Sequence, residues 1–378
     1  MNPIVRLSLL GVFMKHWLWL PLILCSFSFA SAETLLLRFK DPDTKSTFQM
    51  KTLKDAKRVV LAGKVLIVEG DYNTLKKNPE ILYVERNQTY QALGFPDRSK
   101  QVAATPWGLD TTQVAKLWAK GFKGAGHKIA VIDTGVDGEH PEIKGRVLGG
   151  YNAITGTTDA MDDHGHGTHC SGTIAGKDVG MAPEAQIIPV KFLNKNGGGT
   201  LEDAVKAIDW ATQNGATILS NSWGGGGYSQ ALFDVIQAAS DKGIWFIAAA
   251  GNSRGNNDSR ATYPASYKIK NVIAVAATDK DDKIANFSNY GQTSVLLAAP
   301  GVQIYSSTPG GKYDSWSGTS MAAPHVSGAL ALLLQQGCKD AEECLGRSVK
   351  VVEGLKDKTK TSGRLDLSDK VTEKKRRK

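Results

Sequence analysis

Lys128-Ile129-Ala130-Val131-Ile132-Asp133-Thr134-Gly135 is the stretch on which the fold turns. Four consecutive apolar residues, three of them β-branched, read as a strand buried on both faces, which is the habit of parallel sheets. Similar runs recur at Ile187–Phe192, Ala216–Asn221, Ile244–Ala250 and Val272–Ala276. Between them, Leu201–Asn214 and Ser229–Lys242 have helical periodicity, with Gly215 and Gly243 where helix C-caps fall. Strands alternating with helices imply an α/β fold, a mostly parallel sheet with helices on both faces. Ligands then bind at the carboxyl ends of the strands, so reactive side chains are to be sought just after them.

Composition bounds less. With 41% hydrophobic and 22% charged residues the chain is an ordinary globular protein. The net charge of +9 is concentrated in a run from Lys374 to Lys378, and aromatic residues are not interleaved with the basic ones, which excludes a nucleic-acid surface. The apolar run Trp17–Phe29 ends in Ala30-Ser31-Ala32, the pattern of a signal peptide cut after Ala32. Met14-Lys15-His16 offers an alternative translation start. The run is too short for a stable membrane anchor, and Leu24 before Cys25 argues against lipidation. A secreted protein, extracellular or periplasmic, is expected. In that compartment Cys338 and Cys344 form a candidate disulfide, two unlinked thiols being the alternative, and Cys170 is left as a buried free thiol.

The expected organisation is a signal peptide over 1–32, a small α+β unit over 33–90, an exposed linker over 91–105, the main domain over 106–355 and a basic tail over 356–378. Three segments of the main domain carry chemistry. Asp133 ends the first buried strand, where the backbone holds its carboxylate rigidly. His166 stands in Gly165-His166-Gly167-Thr168-His169-Cys170, where small residues let a helix begin at the imidazole. Ser320 stands in Gly318-Thr319-Ser320-Met321-Ala322-Ala323-Pro324, a loop turning into an apolar helix whose first amides are free to face an oxyanion. A serine hydroxyl needs an adjacent base, and the base needs a third group to fix its tautomer. Asn252, after Ala249-Ala250-Gly251, offers an amide donor, and Ser222-Trp223-Gly224-Gly225 offers an open strand edge to an extended peptide. His127, His140 and His164 read as loop or surface residues, and His169 and His325 as interior. His164, His166 and His169 lack the companions of a zinc site.

These motifs, in the order Asp, His, Ser, resemble the subtilisin-like serine proteases, the subtilases, over about Trp107 to Leu334. In detail, His169-Cys170 and the short Ala175–Met181 stretch are similar to the proteinase K type. The resemblance implies a serine endopeptidase with Asp133, His166 and Ser320 as triad and Asn252 with the Ser320 amide as oxyanion hole. It implies a P1 pocket walled by Ser222, Trp223, Gly224, Gly225, Ala249, Ala250 and Gly251. Large apolar or aromatic P1 groups on protein and peptide substrates should enter it, in a monomer that needs no cofactor for catalysis. Residues 33–90 resemble the family's propeptide, an inhibitor and chaperone of its own domain whose C-terminal tail lies in the substrate groove until self-cleavage between about Gln91 and Thr105. No metal ligand is identified. The short 175–181 stretch lacks a calcium-wrapping insertion, and Val295-Leu296-Leu297-Ala298 has no acidic residue, leaving structural calcium to backbone carbonyls. A kexin-like processing protease is the enzymatic alternative, disfavoured because Gly224–Gly227 has no acidic residue for a basic P1. An inactive binding module is disfavoured by the intact His166, Ser320 and Asn252.

Overall fold

A computed structural model of the chain describes residues 32–40, 59–60, 64–97 and 105–368. The signal-peptide assignment and the terminal basic run lie outside the described residues. A nine-stranded sheet forms the centre of the main domain. Its order is Val349–Val351, Gly363–Leu365, Leu297–Pro300, Val272–Thr278, Trp245–Ala249, Ile218–Asn221, Lys128–Asp133, Gln186–Lys191 and Tyr151–Asn152. The pairings are parallel except for the edge pair Val349–Val351 with Gly363–Leu365.

Alternation along the strands sends side chains into two cores. Ile129, Val131, Ile218 and Ile247 pack with Ile174, Val326 and Leu330 of the helices His166–Ala175 and Thr319–Gln335. Ala130, Ile132, Leu219 and Phe246 face the other way, onto Val205, Ile208, Val235 and Ile236 of the helices Leu201–Gln213 and Gln230–Asp241. Both of the latter helices are capped from the sequence: Thr200 accepts the Asp203 N–H and Ser229 the Leu232 N–H. Gly215 and Gly243, at φ 81° and 76°, take the left-handed conformation that stops each helix. The expected strands and helices thus form within two residues of their expected ends.

Three expectations are corrected. The basic tail does not begin at 356, because Gly363–Leu365 joins the central sheet beside Leu297–Pro300 and Leu365 and Leu367 enter the core. The main domain runs at least to Leu367. His140 is buried, with Nε2 2.8 Å from the Lys312 carbonyl and its ring edge-on to Tyr313. Residues 91–97 are not an exposed linker but lie in the groove described below. Cys338 and Cys344 are bonded, with an S–S distance of 2.11 Å, and Cys170 is a buried free thiol.

The N-terminal unit is an antiparallel sheet in the order Val59–Val60, Leu66–Gly70, Glu33–Phe39, Ile81–Arg86. It docks on the two helices Leu201–Gln213 and Gln230–Asp241. Glu85 accepts the Ser229 hydroxyl and the Gln230 N–H, each at 2.6 Å, and Asn87 accepts the Glu202 N–H at 3.0 Å. A carboxylate is favoured at a helix N-terminus because the first amides there are unsatisfied. Arg38 and Tyr83 meet Asp234 at 2.8 and 2.9 Å.

Candidate active site

Asp133, the last residue of its strand, is fully buried; its Oδ1 accepts its neighbour's Thr134 N–H and lies 2.7 Å from His166 Nδ1. His166 opens its helix behind Gly165, whose φ of 110° turns the chain into the helix. That helix can start so close to the strand end only because residue 167 is glycine: a Cβ there would lie 2.0 Å from the Gly135 carbonyl oxygen. Ser320, in the first turn of Thr319–Gln335, donates its hydroxyl to the Ser222 carbonyl at 2.7 Å. His166 Nε2 meanwhile has no hydrogen-bond partner among the described residues. The Asp133 and His166 side chains therefore meet, while the Ser320 hydroxyl is held by the Ser222 carbonyl.

A segment of the same chain runs through this point. Thr89–Ala92 lies antiparallel between Gly198–Thr200 and Trp223–Gly224. Ala92 donates to the Gly197 carbonyl at 2.9 Å and Leu93 to the Ser222 carbonyl at 3.1 Å. The Leu93 carbonyl oxygen accepts Asn252 Nδ2 at 2.6 Å and the Ser320 N–H at 3.2 Å. Asn252 is aimed by Thr319, whose N–H and hydroxyl both donate to its Oδ1, at 2.9 and 2.8 Å. Gly94 passes against the imidazole, where a Cβ would be 2.7 Å from His166 Nε2. Phe95-Pro96 then pairs with Trp316-Ser317, the Phe95 ring standing edge-on to Phe287. One peptide carbonyl thus sits in a two-donor cradle, with a hydroxyl and an imidazole beside it.

A family model described as Peptidase_S8, the subtilase family, matches residues 124–351. The chain belongs to the subtilase family. It is 40% identical over 285 residues to the thermophilic serine proteinase of Bacillus sp. (strain AK1), spanning 74% of this chain and 69% of that one. It is 42% identical over 238 residues to subtilisin DY of Bacillus licheniformis, spanning 61% of this chain and 85% of that one. The solved structure of fervidolysin from Fervidobacterium pennivorans, a keratinolytic enzyme related to subtilisin, superposes with a TM-score of 0.74 at 29% identity. That alignment covers 89% of this chain and 60% of fervidolysin. The chain is accordingly a serine endopeptidase of the subtilisin fold, acting on protein or peptide substrates.

In this subtilase two of the expected pocket residues touch the segment's backbone directly. Trp223 and Gly224 pair with its backbone, Gly225 donates to the Tyr263 carbonyl, and Ala249 and Ala250 are buried beside Gly251, which leads into Asn252. Tyr90 is fully buried with its ring 5.3 Å from Trp223, which in turn meets Phe192 at 4.8 Å. Phe192 and the aromatic role of Tyr90 were not legible as site features, since each reads as an ordinary core residue. Two other histidines, His169 and His325, are buried in the main domain. His169 Nε2 bonds the Ile304 and Asp314 carbonyls, and burial pushes its pKa down to about 3. Burial likewise pushes His325 down to about 4. At His166 burial again opposes the charged form, but the Asp133 carboxylate beside it, with Cys170, prevails and holds the pKa well above 6.5. Among the described residues no helix is long and apolar enough to cross a membrane.

Proposed function

We propose that this subtilase is a secreted enzyme made as a self-processing precursor, that Asp133, His166 and Ser320 are its triad, and that Leu93–Gly94 is the bond it cuts in itself. The observation that carries the reading is the Leu93 carbonyl oxygen, held by Asn252 and the Ser320 amide while Gly94 lies against His166. Ser320 Oγ rotates from the Ser222 carbonyl toward His166 Nε2, gives up its proton there and bonds to the Leu93 carbonyl carbon. Asp133 keeps Nδ1 protonated and supports the imidazolium that forms. The charge developing on the carbonyl oxygen falls between two donors already in place, so little reorganisation is required. Collapse expels the Gly94 nitrogen, which takes the proton from His166, and water then hydrolyses the acyl-enzyme by the same route.

Residues 33–93 in this reading serve as inhibitor and folding template, released after cleavage, and the mature enzyme is a monomer. The seated segment also reports preference: Leu93 supports a medium to large apolar P1, and Tyr90, three residues upstream, supports an aromatic group in the Trp223 and Phe192 pocket. Gly224–Gly227 offers no carboxylate to a basic P1, against a kexin-like preference. The chemistry needs no cofactor. Val295–Ala298 is buried and wholly apolar, so it does not fit calcium, and any structural calcium is held by carbonyls elsewhere.

The test is to express residues 33–378 beside its Ser320→Ala variant and follow intact mass and hydrolysis of a Tyr-Gln-Ala-Leu-p-nitroanilide peptide. The wild-type chain should lose residues 33–93 and release nitroaniline, and the variant should do neither. An active enzyme whose first cut lies elsewhere would overturn the assigned bond, and an active Ser320→Ala protein would overturn the triad.

A further inference from the structure

We infer that Asp162 is a positioning residue for the triad, setting the separation of Asp133 and His166 by tying the end of one's strand to the start of the other's helix. The inference rests on the triad reading above. Asp162 is buried, and its carboxylate accepts five hydrogen bonds. Oδ1 takes the Thr134 hydroxyl at 2.8 Å and the N–H groups of His164 and Gly165 at 3.0 and 2.8 Å. Oδ2 takes the N–H and hydroxyl of Thr168 at 2.9 and 2.6 Å.

The local need for such a group is plain. A helix leaves its first amides without partners, and the residue before His166 is glycine, which has no side chain to cap them. Asp162 reaches past the glycine to the Thr168 amide, while Thr134 Oγ1 accepts the Gly167 N–H at 2.9 Å and donates its own hydrogen bond to Asp162. The amides flanking His166 are thereby tethered to the residue that follows Asp133. Sheet pairing holds the Asp133 backbone, and the His166 ring also packs against Trp316 and Cys170. Their side chains share a single contact, His166 Nδ1 to Asp133 Oδ1, and Asp133 Oδ2 has no partner among the described residues. Orientation then comes largely from the two backbones, which are joined by Asp162 together with the Thr134 and Thr168 hydroxyls it holds, the latter also accepting the Asp137 N–H. A misplacement of about 1 Å in such a constellation costs on the order of 100-fold in rate.

Asparagine at 162 has the same shape but turns an NH2 toward donors, so part of the clamp becomes donor against donor. For Asp162→Asn, matured from the 33–378 chain and counted by titration with a sulfonyl fluoride, kcat on Tyr-Gln-Ala-Leu-p-nitroanilide should fall about 10- to 100-fold. KM should stay within about twofold, since no pocket residue is touched. The low-field proton resonance of His166 Nδ1–H should shift or broaden. If Asp162→Asn does not fold, Thr134→Val and Thr134→Ser decide. The valine, which lacks the bridging hydroxyl, should reproduce the kcat loss and the resonance change, and the serine should restore both. Unchanged kcat and resonance in folded Asp162→Asn, or in Thr134→Val, would overturn the inference and leave Asp162 a helix cap. Activity in the Ser320→Ala control would instead remove the triad reading on which it stands.

Discussion

Truncating Tyr90 to alanine tests whether the segment entering the active site is anchored by one ring. An aromatic side chain buries about 150–250 Å², worth about 4–6 kcal/mol at ~25 cal/mol per Å², an upper bound because the free segment is already partly collapsed. Against this stands the phenol hydroxyl, which is buried without a partner among the described residues, as is Trp223 Nε1. A buried polar group left unpaired costs about 1–3 kcal/mol, so the net anchoring is about 1–5 kcal/mol. The backbone ladder to Gly198–Thr200 and Trp223–Gly224 is untouched by the substitution. In a Ser320→Ala background, where the chain stays intact, amide hydrogen exchange reads the local opening directly. The Ala92 and Leu93 amides, bonded to Gly197 and Ser222, should exchange roughly 5- to 4000-fold faster in Tyr90→Ala, at about 1.4 kcal/mol per tenfold. Tyr90→Phe removes only the unpaired hydroxyl and should exchange no faster than the parent. Unchanged exchange in the alanine variant would refute the anchoring, and an equal acceleration in the phenylalanine variant would show that the hydroxyl has a role the packing argument denies.

Asn252→Ala should lower kcat about 100- to 1000-fold, the range known for the corresponding amide of subtilisin. Thermal unfolding should also register a cost of about 1–3 kcal/mol, because both Thr319 donors lose their acceptor. Gly94→Ala should slow self-cleavage at least about tenfold, as the rigid imidazole cannot yield to a Cβ 2.7 Å from Nε2, while the peptide kcat of the matured enzyme is unchanged. His166 must be neutral to act as base and its pKa is held above 6.5, so the rate of self-cleavage should rise with pH through an ionisation on the alkaline side of 6.5. Stability responds at His169 and His325, whose pKa values are shifted the other way from that of His166. Both are neutral when folded, down to about 3 and about 4, but take up protons below 6.5 when unfolded. The unfolded state then binds more protons, so stability is lost as pH falls from 6.5 toward 4, by up to ~2.7 kcal/mol per pH unit for the two groups. The urea midpoint against pH measures this, and a flat profile over that window would refute it.

What could be read from the sequence follows from where the free energy lies. Strands such as Lys128–Asp133 are held by apolar burial on two faces, and helix ends by caps and glycines, so runs and punctuation mark them. The glycines around His166 and Ser320 were equally visible because close approach leaves no other residue. Gly363–Leu365 escaped because its middle residue is arginine. Buried Arg364 is satisfied by Asp282, by the Thr111 carbonyl and by the carbonyl of Leu365, partners that composition cannot reveal. Asp162 escaped for a related reason: four residues before His166, it serves amides on the far side of a glycine, where no capping box would place it.

Residues 91–97 escaped for a reason tied to function. A groove that accepts many peptides must hold them by the one feature they share, the backbone, and that ladder is the one Ala92 and Leu93 make with Gly197 and Ser222. A segment bound in this way needs apolar side chains only at the few positions that meet a pocket, here Tyr90 and Leu93. Between them stand Gln91 and Ala92, and after them Gly94, Pro96 and Asp97, a composition that reads as linker. Under the self-processing reading proposed above, that blandness is what a self-presented substrate of a broad endopeptidase should have. Its apolar marks are Tyr90 and Leu93, with Phe95 edge-on to Phe287 beyond them.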